Sequence, residues 1–414
     1  MNQQIKQRIK QIKNGEVPYG YKKIKIGIVP NEWKEFYLED LFNVIDGDRG
    51  EKYPSKDEIF DEGYCVFLNA KNITKNGFDF NHIQYISEEK DKELRNGKLE
   101  KFDIVLTTRG TIGNVALNDN IKYENLRINS GMVLLRSENL KYIKYVYMYM
   151  KSKLFIHQVD KISFGSAQPQ LTVKEIKKFK VVIPINETEQ QKIADILSTQ
   201  DKVIELKVKL LKEKEKQKKY LMQILLTGRK RLKGFNGEWK KYNFENIFRV
   251  IASNKYQIKK NEYLVEGVYP VIDQGKKEIV GYSNNEEKVL KCPQEGIIVF
   301  GDHTCCLKFI DFDFIVGADG TQLLSSKSDE FLNIFLYYYL SNKKIINDGY
   351  SRHFKYIKEF VYTLPKFEEQ KAIAEILTTA DKELKLLQEE LEEEKRKKKA
   401  LMQLLLTGIV RVKV

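Results

Sequence analysis

A long repeated segment constrains the fold of this chain more than any other feature of its sequence. Residues 189–228 match residues 369–408 without a gap, at a constant offset of 180, and 21 of the 40 positions are identical. The segments that precede the two copies, 32–184 and 229–364, have diverged from each other. A repeated frame that carries two different inserts predicts a pseudo-two-fold tandem scaffold with two different recognition domains.

The two inserts keep a similar order of elements. The apolar run Gly296–Val299 echoes Asp103–Leu106, and both patterns are typical of buried strands. In each insert an aromatic-rich helix follows, predicted over residues 142–155 and over residues 331–340. The chain is therefore predicted to alternate globular domain, long helix, globular domain, long helix.

Both repeated segments predict long helices that pair with each other. Each runs for about 38 residues, or about 57 Å at 1.5 Å per residue, and ends at Thr-Gly. Apolar residues recur at steps of four and three, which is coiled-coil spacing. The middle of the first copy is basic and that of the second is acidic, with Lys207, Lys209, Lys212, Lys214 and Lys216 against Glu389, Glu390, Glu392, Glu393 and Glu394. Complementary charge favours antiparallel pairing within one chain; the alternative is that each run is a solvated helix face.

Length and charge limit the class of protein. A chain of 414 residues exceeds one ordinary core, so two or more domains are expected. The net charge of +14 favours a polyanionic partner, with nucleic acid first and acidic membrane second. No stretch approaches the roughly 18 apolar residues of a membrane span, and Met1–Gln4 lacks the apolar core of a signal peptide. We therefore expect no membrane partner and a cytoplasmic location.

The four cysteines do not predict a disulfide framework, because they are few and irregularly spaced. His303-Thr304-Cys305-Cys306 comes nearest to a metal-ligand cluster. No second ligand pair accompanies it, so the interpretation that we favour is a buried strand with small sulfur side chains, and no metal site is predicted.

Familiar catalytic motifs are absent from the sequence. There is no Pro-Pro pair, so the Asn/Asp-Pro-Pro-aromatic loop of amino-methyltransferases is excluded, and no Gly-Lys-Ser/Thr of a nucleotide-binding loop. His-Glu-x-x-His, Gly-x-Ser-x-Gly and Cys-x-x-Cys are also missing. The sequence therefore predicts a protein that binds rather than one that catalyses a reaction.

Several short motifs, in a fixed order, carry a resemblance to a known family. Pro184 and Pro365 each precede a Glu-Gln helix start, at Glu189-Gln190 and Glu369-Gln370. With them stand Gly165–Leu171, Thr107–Gly113, Tyr269–Ile272 and Gly281-Tyr282. Together these motifs resemble the specificity subunits of Type I restriction-modification enzymes, over nearly all of residues 20–408.

The resemblance implies an α+β fold. Two mixed α/β target-recognition domains would be separated by two long helices that form an intramolecular antiparallel coiled coil. The implied boundaries are a lead-in with an amphipathic helix at 1–31, target-recognition domains at 32–184 and 229–364, and spacer helices at 185–228 and 365–414. The chain would be a non-catalytic subunit that reads an asymmetric, two-part DNA target.

The resemblance also implies partners and cofactors. The chain would bind double-stranded DNA and assemble with two methyltransferase (modification) subunits and with two restriction (motor-nuclease) subunits. The modification subunits would methylate adenine N6 with S-adenosylmethionine, and restriction would use ATP and Mg. No cofactor is expected on this chain.

Candidate DNA-contacting residues are polar or basic side chains in loops. Arginine suits guanine and Asn or Gln suits adenine, through paired hydrogen bonds in the major groove. The candidates are Lys71, Asn72, Arg109, Gln168 and Gln170 in the first insert, and Gln274, Lys276, Lys277, His303, Arg352, His353 and Lys355 in the second. Each has a plain structural alternative: a surface lysine is commonly only solvated, Arg109 could brace its Gly-flanked turn, and His353 could be a packed core histidine.

The second insert departs from the first where the candidates lie. It has Arg352-His353-Phe354 where the first has residues 168–171, and Gly301-Asp302-His303 where the first has Thr108-Arg109-Gly110. The two domains are therefore expected to read different bases. Two rival functions remain open from the sequence: a stand-alone sequence-specific DNA-binding regulator on a coiled-coil scaffold, and a coiled-coil adaptor that binds protein instead of DNA.

Overall fold

The computed structural model describes residues 3–119, 122–163, 170–317, 319–345 and 352–413. Its helices are α1 (Gln3–Lys13), α2 (Leu38–Leu41), α3 (Glu88–Glu93), α4 (Ile143–Met150), α5 (Lys153–Ser163), α6 (Val173–Lys177), α7 (Glu187–Leu225), α8 (Phe244–Ile247), α9 (Asn333–Asn342), α10 (Phe354–Glu359) and α11 (Phe367–Leu406). In the described part of the chain no helix has both the length and the apolar character that crossing a membrane requires.

Among the described residues, thirteen strands precede α7, and ten lie between α7 and α11. The first group is β1 (Tyr21–Ile24), β2 (Gly27–Pro30), β3 (Lys34–Tyr37), β4 (Asn43–Asp46), β5 (Cys65–Leu68), β6 (Ile73–Thr74), β7 (Gly77–Phe78), β8 (Tyr85–Ile86), β9 (Ile104–Thr107), β10 (Val115–Leu117), β11 (Leu126–Ile128), β12 (Met132–Arg136) and β13 (Lys180–Ile183). The second is β14 (Lys240–Tyr242), β15 (Phe248–Ile251), β16 (Tyr269–Ile272), β17 (Gly281–Ser283), β18 (Val289–Leu290), β19 (Ile297–Gly301), β20 (Leu307–Ile310), β21 (Phe314–Val316), β22 (Thr321–Ser326) and β23 (Tyr362–Leu364).

The chain divides into two compact units. Unit 1 consists of Met1–Leu206 and Glu392–Val414, and unit 2 consists of Lys207–Leu391. Each unit therefore contains one globular insert, one part of α7 and one part of α11.

The insert of unit 1 is built on two sheets. An antiparallel four-stranded sheet has the order β10-β9-β12-β4, and a three-stranded sheet has the order β11-β5-β8, in which β11 and β5 are parallel. Side chains alternate across the four-stranded sheet. Leu106 and Val133 face a core with α4 and the long helices, whereas Val105 and Leu134 face the three-stranded sheet.

Unit 2 repeats this topology. Its antiparallel sheet has the order β15-β22-β19-β20, and its second sheet has the order β17-β16-β21-β18, with β16 and β21 parallel. Ile298 and Leu324 face α9 and the long helices, whereas Val299 and Leu323 face the second sheet. The predicted duplication of the globular inserts is thus confirmed at the level of strand order.

The long helices pair in antiparallel fashion inside each unit. In unit 2, Lys207 Nζ lies 2.6 Å from Glu390 Oε2 and Lys214 Nζ lies 2.6 Å from Glu383 Oε1. In unit 1, the Gln200 amide donates to Glu394 Oε2 at 2.5 Å. As the residue number rises along α7, that of its partner on α11 falls.

The predicted charge complementarity is only partly realised. Lys207 and Glu390 join the basic and acidic runs directly. Lys214 instead pairs with a glutamate before the acidic run, and Lys216 pairs with Glu213 of its own helix at 2.8 Å. Both long helices formed as predicted, with lengths of 39 and 40 residues.

Some predicted elements differ from the structure. Residues 142–155 were expected to form one helix, but α4 ends at Met150 and α5 begins at Lys153. The break centres on buried Ser152, whose hydroxyl accepts from the Phe155 amide at 3.5 Å and so starts the new helix in the manner of an N-cap. The second aromatic helix was expected over 331–340 and lies at Asn333–Asn342. The N-terminal amphipathic helix is confirmed as α1.

Candidate nucleic-acid interface

In unit 1 the turn after β5 is held rigid by asparagine side chains. Asn69 Oδ1 accepts a hydrogen bond from the backbone N–H of Lys71 at 3.0 Å, and Asn72 Oδ1 accepts one from the backbone N–H of Asn69 at 3.0 Å. The Asn72 amide nitrogen donates to the carbonyls of Asp79 and His82 at 3.0 and 2.8 Å. Asn72 is therefore buried with its amide group fully engaged, and the turn leaves Lys71 exposed.

The loop after β9 lies against this turn. Thr111 Oγ1 donates to the Ala70 carbonyl at 3.0 Å, and a Cβ at Gly110 would lie 3.5 Å from the Ala70 Cβ. Gly110 has a φ of 71°, a left-handed conformation that glycine adopts without strain. The turn thereby leaves the side chain of Arg109 exposed.

Two further segments join these loops. The Thr108 and Arg109 amides donate to the Gly131 carbonyl at 2.8 and 3.2 Å, and the Leu171 amide donates to the Thr108 carbonyl at 3.1 Å. Half-buried Gln170 precedes that contact. The segments 69–72, 108–113, 129–131 and 170–172 form what we call the unit 1 loop edge. Gln168 lies outside the described residues.

In unit 2 the corresponding loops are held by Gln274. Its Oε1 accepts from the His303 amide at 3.2 Å, its Nε2 donates to the Asp319 carbonyl at 2.9 Å, and its carbonyl accepts from Thr304 Oγ1. Gly320 has a φ of 85°, a left-handed conformation that glycine adopts without strain, and a Cβ there would come within 2.8 Å of Gln274 Oε1. The Gln274 amide is therefore engaged within the loops.

Asp302 joins the fourth segment of unit 2 to the loop after β19. Its carbonyl accepts from the His353 amide at 2.9 Å and lies 2.8 Å from His353 Nδ1, and its Oδ1 accepts from the Phe354 amide at 2.8 Å. His353 is fully buried by these contacts, which is the core alternative that the sequence left open. Segments 273–277, 302–304, 319–320 and 352–355 form the unit 2 loop edge.

The two edges match position by position. The Leu171 amide binds the Thr108 carbonyl in unit 1 just as the His353 amide binds the Asp302 carbonyl in unit 2. The alignment made from the sequence set Arg109 against Asp302, and the backbone contacts correct it by one residue, so that Thr108 corresponds to Asp302 and Arg109 to His303. The exposed cations of the unit 2 edge are Lys276, Lys277, Arg352 and Lys355.

A buried cation lies below the unit 2 edge. Lys308 on β20 is 8% exposed, and its Nζ donates to the Asp273 carbonyl at 2.7 Å. Burial lowers the pKa of Lys308, and the neighbouring charge of Asp273 opposes that effect only in part. This lysine and the bracing residues Asn69, Asn129 and Asp302 were missed from the sequence. The turn pairs Ser130-Gly131 and Asp319-Gly320, each directly before a buried strand, were the available signal.

The chemistry offered by both edges is hydrogen-bond donation from cationic and amide groups. Over the described residues, no three His, Cys, Asp or Glu side chains come together in a way that could hold a metal ion. Exposed arginine and lysine on short, braced loops suit phosphate oxygens and the acceptor atoms of guanine.

The sequence matches a family model described as "Type I restriction modification DNA specificity domain", over residues 30–232 and 236–395. A protein of Methanocaldococcus jannaschii, provisionally named as the MjaX specificity subunit of a type I restriction enzyme, is 29% identical over 95% of this chain and 97% of its own length. The MjaVIII specificity subunit from the same organism is 26% identical over 52% of this chain and 50% of its own length.

Solved structures share the architecture. The S subunit of a Type I restriction-modification system from M. genitalium aligns with a TM-score of 0.63 at 18% identity, over 90% of this chain and 96% of that chain. A chain from a study of complex assembly and conformational transition in the type I R-M system aligns with a TM-score of 0.55 at 16% identity, over 92% and 99%. At these identities the likeness shows the fold.

Proposed function

Because this chain belongs to the family of Type I restriction-modification DNA specificity domains, we propose that each loop edge reads one part of a two-part DNA target. The chain is a DNA sequence-recognition subunit with two tandem target-recognition domains, and the methylation and cleavage activities lie in other subunits. The observation that carries the proposal is the repeated edge: the same four backbone segments meet in each unit, but they carry different side chains.

The proposed DNA-contacting residues are the candidates on the loop edges whose side chains are exposed or half-buried. We assign this role to Lys71, Arg109 and Gln170 in unit 1, and to Lys276, Lys277, His303, Arg352 and Lys355 in unit 2. Gln168 keeps the same assignment from the sequence alone. Arginine can donate two parallel hydrogen bonds to guanine, whereas the lysines act mainly on phosphates.

Three of the candidates take a different role. The side chains of Asn72, Gln274 and His353 are engaged by backbone groups of their own loops. Reaching a base would break those contacts, and a buried polar group left without its partner costs about 1 to 3 kcal/mol. We therefore assign these three to holding the loop edges in shape.

The chain works with DNA and with methyltransferase and restriction subunits. In finer detail we propose two modification subunits that carry S-adenosylmethionine and methylate adenine N6. We also propose two restriction subunits that use ATP and Mg, and assembly in the cytoplasm. The chain itself would supply target recognition and hold no cofactor.

Adenine methylation mapping tests the assignment of the edges. The chain is co-expressed with its methyltransferase subunit, and modified adenines are mapped by sequencing. Lys71→Ala/Arg109→Ala should relax one part of the target and leave the other part unchanged. Lys34→Ala serves as control, because exposed Lys34 lies on β3, which pairs with β13 and not with the strands that carry the loops. Relaxation of both parts, or of neither, would refute the assignment.

Duplex binding at different salt concentrations tests whether the target is DNA at all. Contacts from lysine and arginine to phosphate release counterions, so the affinity of the assembled subunits for duplex should fall steeply as salt rises. The adaptor alternative predicts no shift of random duplex in a gel even at low salt.

A further inference from the structure

Unit 1 contains a basic cavity that lies outside its loop edge. The cavity has a volume of about 400 Å³ and lies between the α4–α5 junction and the last part of α11. Five lysines line it, namely Lys151, Lys153, Lys395, Lys398 and Lys399. We call it the lysine cavity.

The carboxylates around the lysine cavity neutralise only part of this charge. Lys151 and Lys398 share a single carboxylate, Asp201, with 3.5 Å between Lys151 Nζ and Asp201 Oδ2. Lys395 pairs with a glutamate of its own helix. Lys153 and Lys399 are exposed and form no ion pair with any carboxylate in the described part of the chain. A net positive charge therefore remains around the opening.

The crowding of cations affects Lys398, whose side chain is largely enclosed. Burial lowers the pKa of Lys398, and the charge of Lys151 lowers it further, against the opposing effect of Asp201. A bound anion would relieve the repulsion between these two ammonium groups.

The floor of the cavity is apolar. Leu154 and Met402 line it, and both are half-buried against the core of unit 1. Buried Ser152 and exposed Gln403 add polar groups at its wall. An apolar floor with a few polar groups is typical of pockets for organic ligands, which have volumes of about 300 to 1,000 Å³.

Unit 2 keeps part of this cluster, because Lys218 and Lys219 stand at the repeat positions of Lys398 and Lys399. Asp381 stands at the repeat position of Asp201, and it accepts from Lys218 and from the Tyr338 hydroxyl, the latter at 2.7 Å. The repeat position of Lys395 is Glu215. The lysine cavity is therefore more positive than its counterpart in unit 2, where a glutamate replaces Lys395.

We propose that the lysine cavity binds a small phosphate ester of about the size of a nucleoside diphosphate. The ammonium groups of Lys153 and Lys399 would hold the phosphates, and the flat organic part would lie on Leu154 and Met402. A duplex is too wide to place its bases on the floor of a cavity of this volume, so the phosphate source is a free small molecule. An acidic peptide shares the negative charge but not the flat body that the floor accommodates.

Equilibrium binding of ADP to the full chain tests the proposal. Saturable binding of one ADP per chain is expected, and Lys153→Glu/Lys399→Glu should weaken it about tenfold or more, since two charge-assisted contacts are lost. Lys219→Glu is the matched control, because Lys219 is the repeat position of Lys399 in unit 2, and it should leave ADP binding unchanged. No saturable binding, or equal weakening in both variants, would overturn the proposal.

Two further binding experiments test the role of the apolar floor and the source of the phosphate. Met402→Ala should weaken ADP binding but not pyrophosphate binding; an unchanged ADP affinity would contradict the role of the floor. Displacement of ADP by a short duplex, or by a polyglutamate peptide at equal charge, would assign the cavity to nucleic acid or to a protein partner and overturn the proposal. All arms measure ligand binding without methylation, so their failure leaves the reading function untouched.

Discussion

Units 1 and 2 differ in the side chains that pack against two equivalent strands, β11 and β21. In unit 1, β11 carries Arg127, which is 3% exposed and donates to Asp91 Oδ1 at 2.7 Å, while Lys98 donates to Asp91 Oδ2 at 2.5 Å. In unit 2 the same register position of β21 holds Ile315, which packs in an apolar cluster with Val271. One backbone frame therefore accepts either a buried ion pair or an apolar contact.

A second difference lies where the fourth segment of each loop edge enters a helix. Thr172 caps α6 locally, with its hydroxyl accepting from the Glu175 amide at 3.3 Å. In unit 2 the first amide of α10 is bound instead by Asp302, which belongs to another loop. The duplicated frame has kept its backbone contacts while the side chains that secure them have moved to different parts of the chain.

The largest effect is expected from removing the buried arginine of unit 1. Arg127→Ala leaves Asp91 buried with Lys98 as its one ionic partner among the described residues, and should lower the free energy of unfolding by about 3 to 5 kcal/mol. Urea unfolding measures the loss. The double variant Arg127→Ile/Asp91→Leu replaces the ion pair with apolar side chains, as in unit 2, and should leave the free energy of unfolding almost unchanged. A double variant as unstable as Arg127→Ala would contradict the equivalence of the two solutions.

The second effect compares the glutamates that open the two long helices. Arg411 donates to Glu189 at 2.5 and 2.8 Å, and Arg231 donates twice to Glu369 at 2.7 Å. Glu369 also accepts from the Trp239 indole nitrogen at 3.2 Å. Arg411→Ala should therefore cost about 2 to 3 kcal/mol, since it leaves a buried carboxylate unpaired, and Arg231→Ala should cost less.

Denaturant unfolding of the two arginine variants gives the order. Trp239→Phe added to Arg231→Ala should bring its cost closer to that of Arg411→Ala, because Glu369 then loses its remaining donor. The reverse order of the single variants would show that the indole hydrogen bond does not matter.

The third effect concerns acid. Burial raises the pKa of Asp91, but hydrogen bonds from Lys98 and Arg127 outweigh it, so the pKa is held below its ordinary value. A lowered pKa stabilises the folded state above the unfolded-state pKa of about 3.9, and this stability is lost as the pH falls through the folded pKa. Between pH 5 and pH 3 the wild type should lose more stability than Arg127→Ile/Asp91→Leu in urea unfolding. Parallel pH profiles would mean that the ion pair contributes no acid sensitivity.

The fourth prediction replaces a residue of the unit 1 loop edge by its counterpart in unit 2. Arg109→His gives unit 1 the residue that unit 2 has there, and should reduce discrimination at one guanine by about 1 to 3 kcal/mol. Methylation rates on targets with single base changes measure the difference. Unchanged discrimination at every position would mean that Arg109 only braces its turn.

The smallest effect is local. Thr172→Ala removes the cap of α6 and should cost about 1 kcal/mol in the free energy of unfolding. The exposed Thr188, which lies in the first turn of α7 and offers no cap there, provides Thr188→Ala as control. Equal costs for the two would show that the cap contributes nothing specific.

Periodicity was enough to predict the long helices and the duplicated strand order, because those depend on apolar spacing repeated over many residues. The break at Ser152 was not predicted, because the aromatic pattern continues across it and gives no sign that a new helix begins at Lys153. The roles of Asn72 and Gln274 were also beyond the sequence. In the sequence, an Asn or Gln side chain that hydrogen-bonds to its own loop cannot be distinguished from one that contacts a base.

The division of both long helices between the units has a consequence for synthesis of the chain. Leu405 and Leu406 belong to the same apolar core as Trp33 and Leu38, although more than 360 residues separate them along the chain. The apolar core of unit 1 therefore cannot be completed during translation until the residues at the end of α11 have left the ribosome. A premature stop codon that removes Leu405 and Leu406 should consequently destabilise unit 1, although its target-recognition domain is translated first.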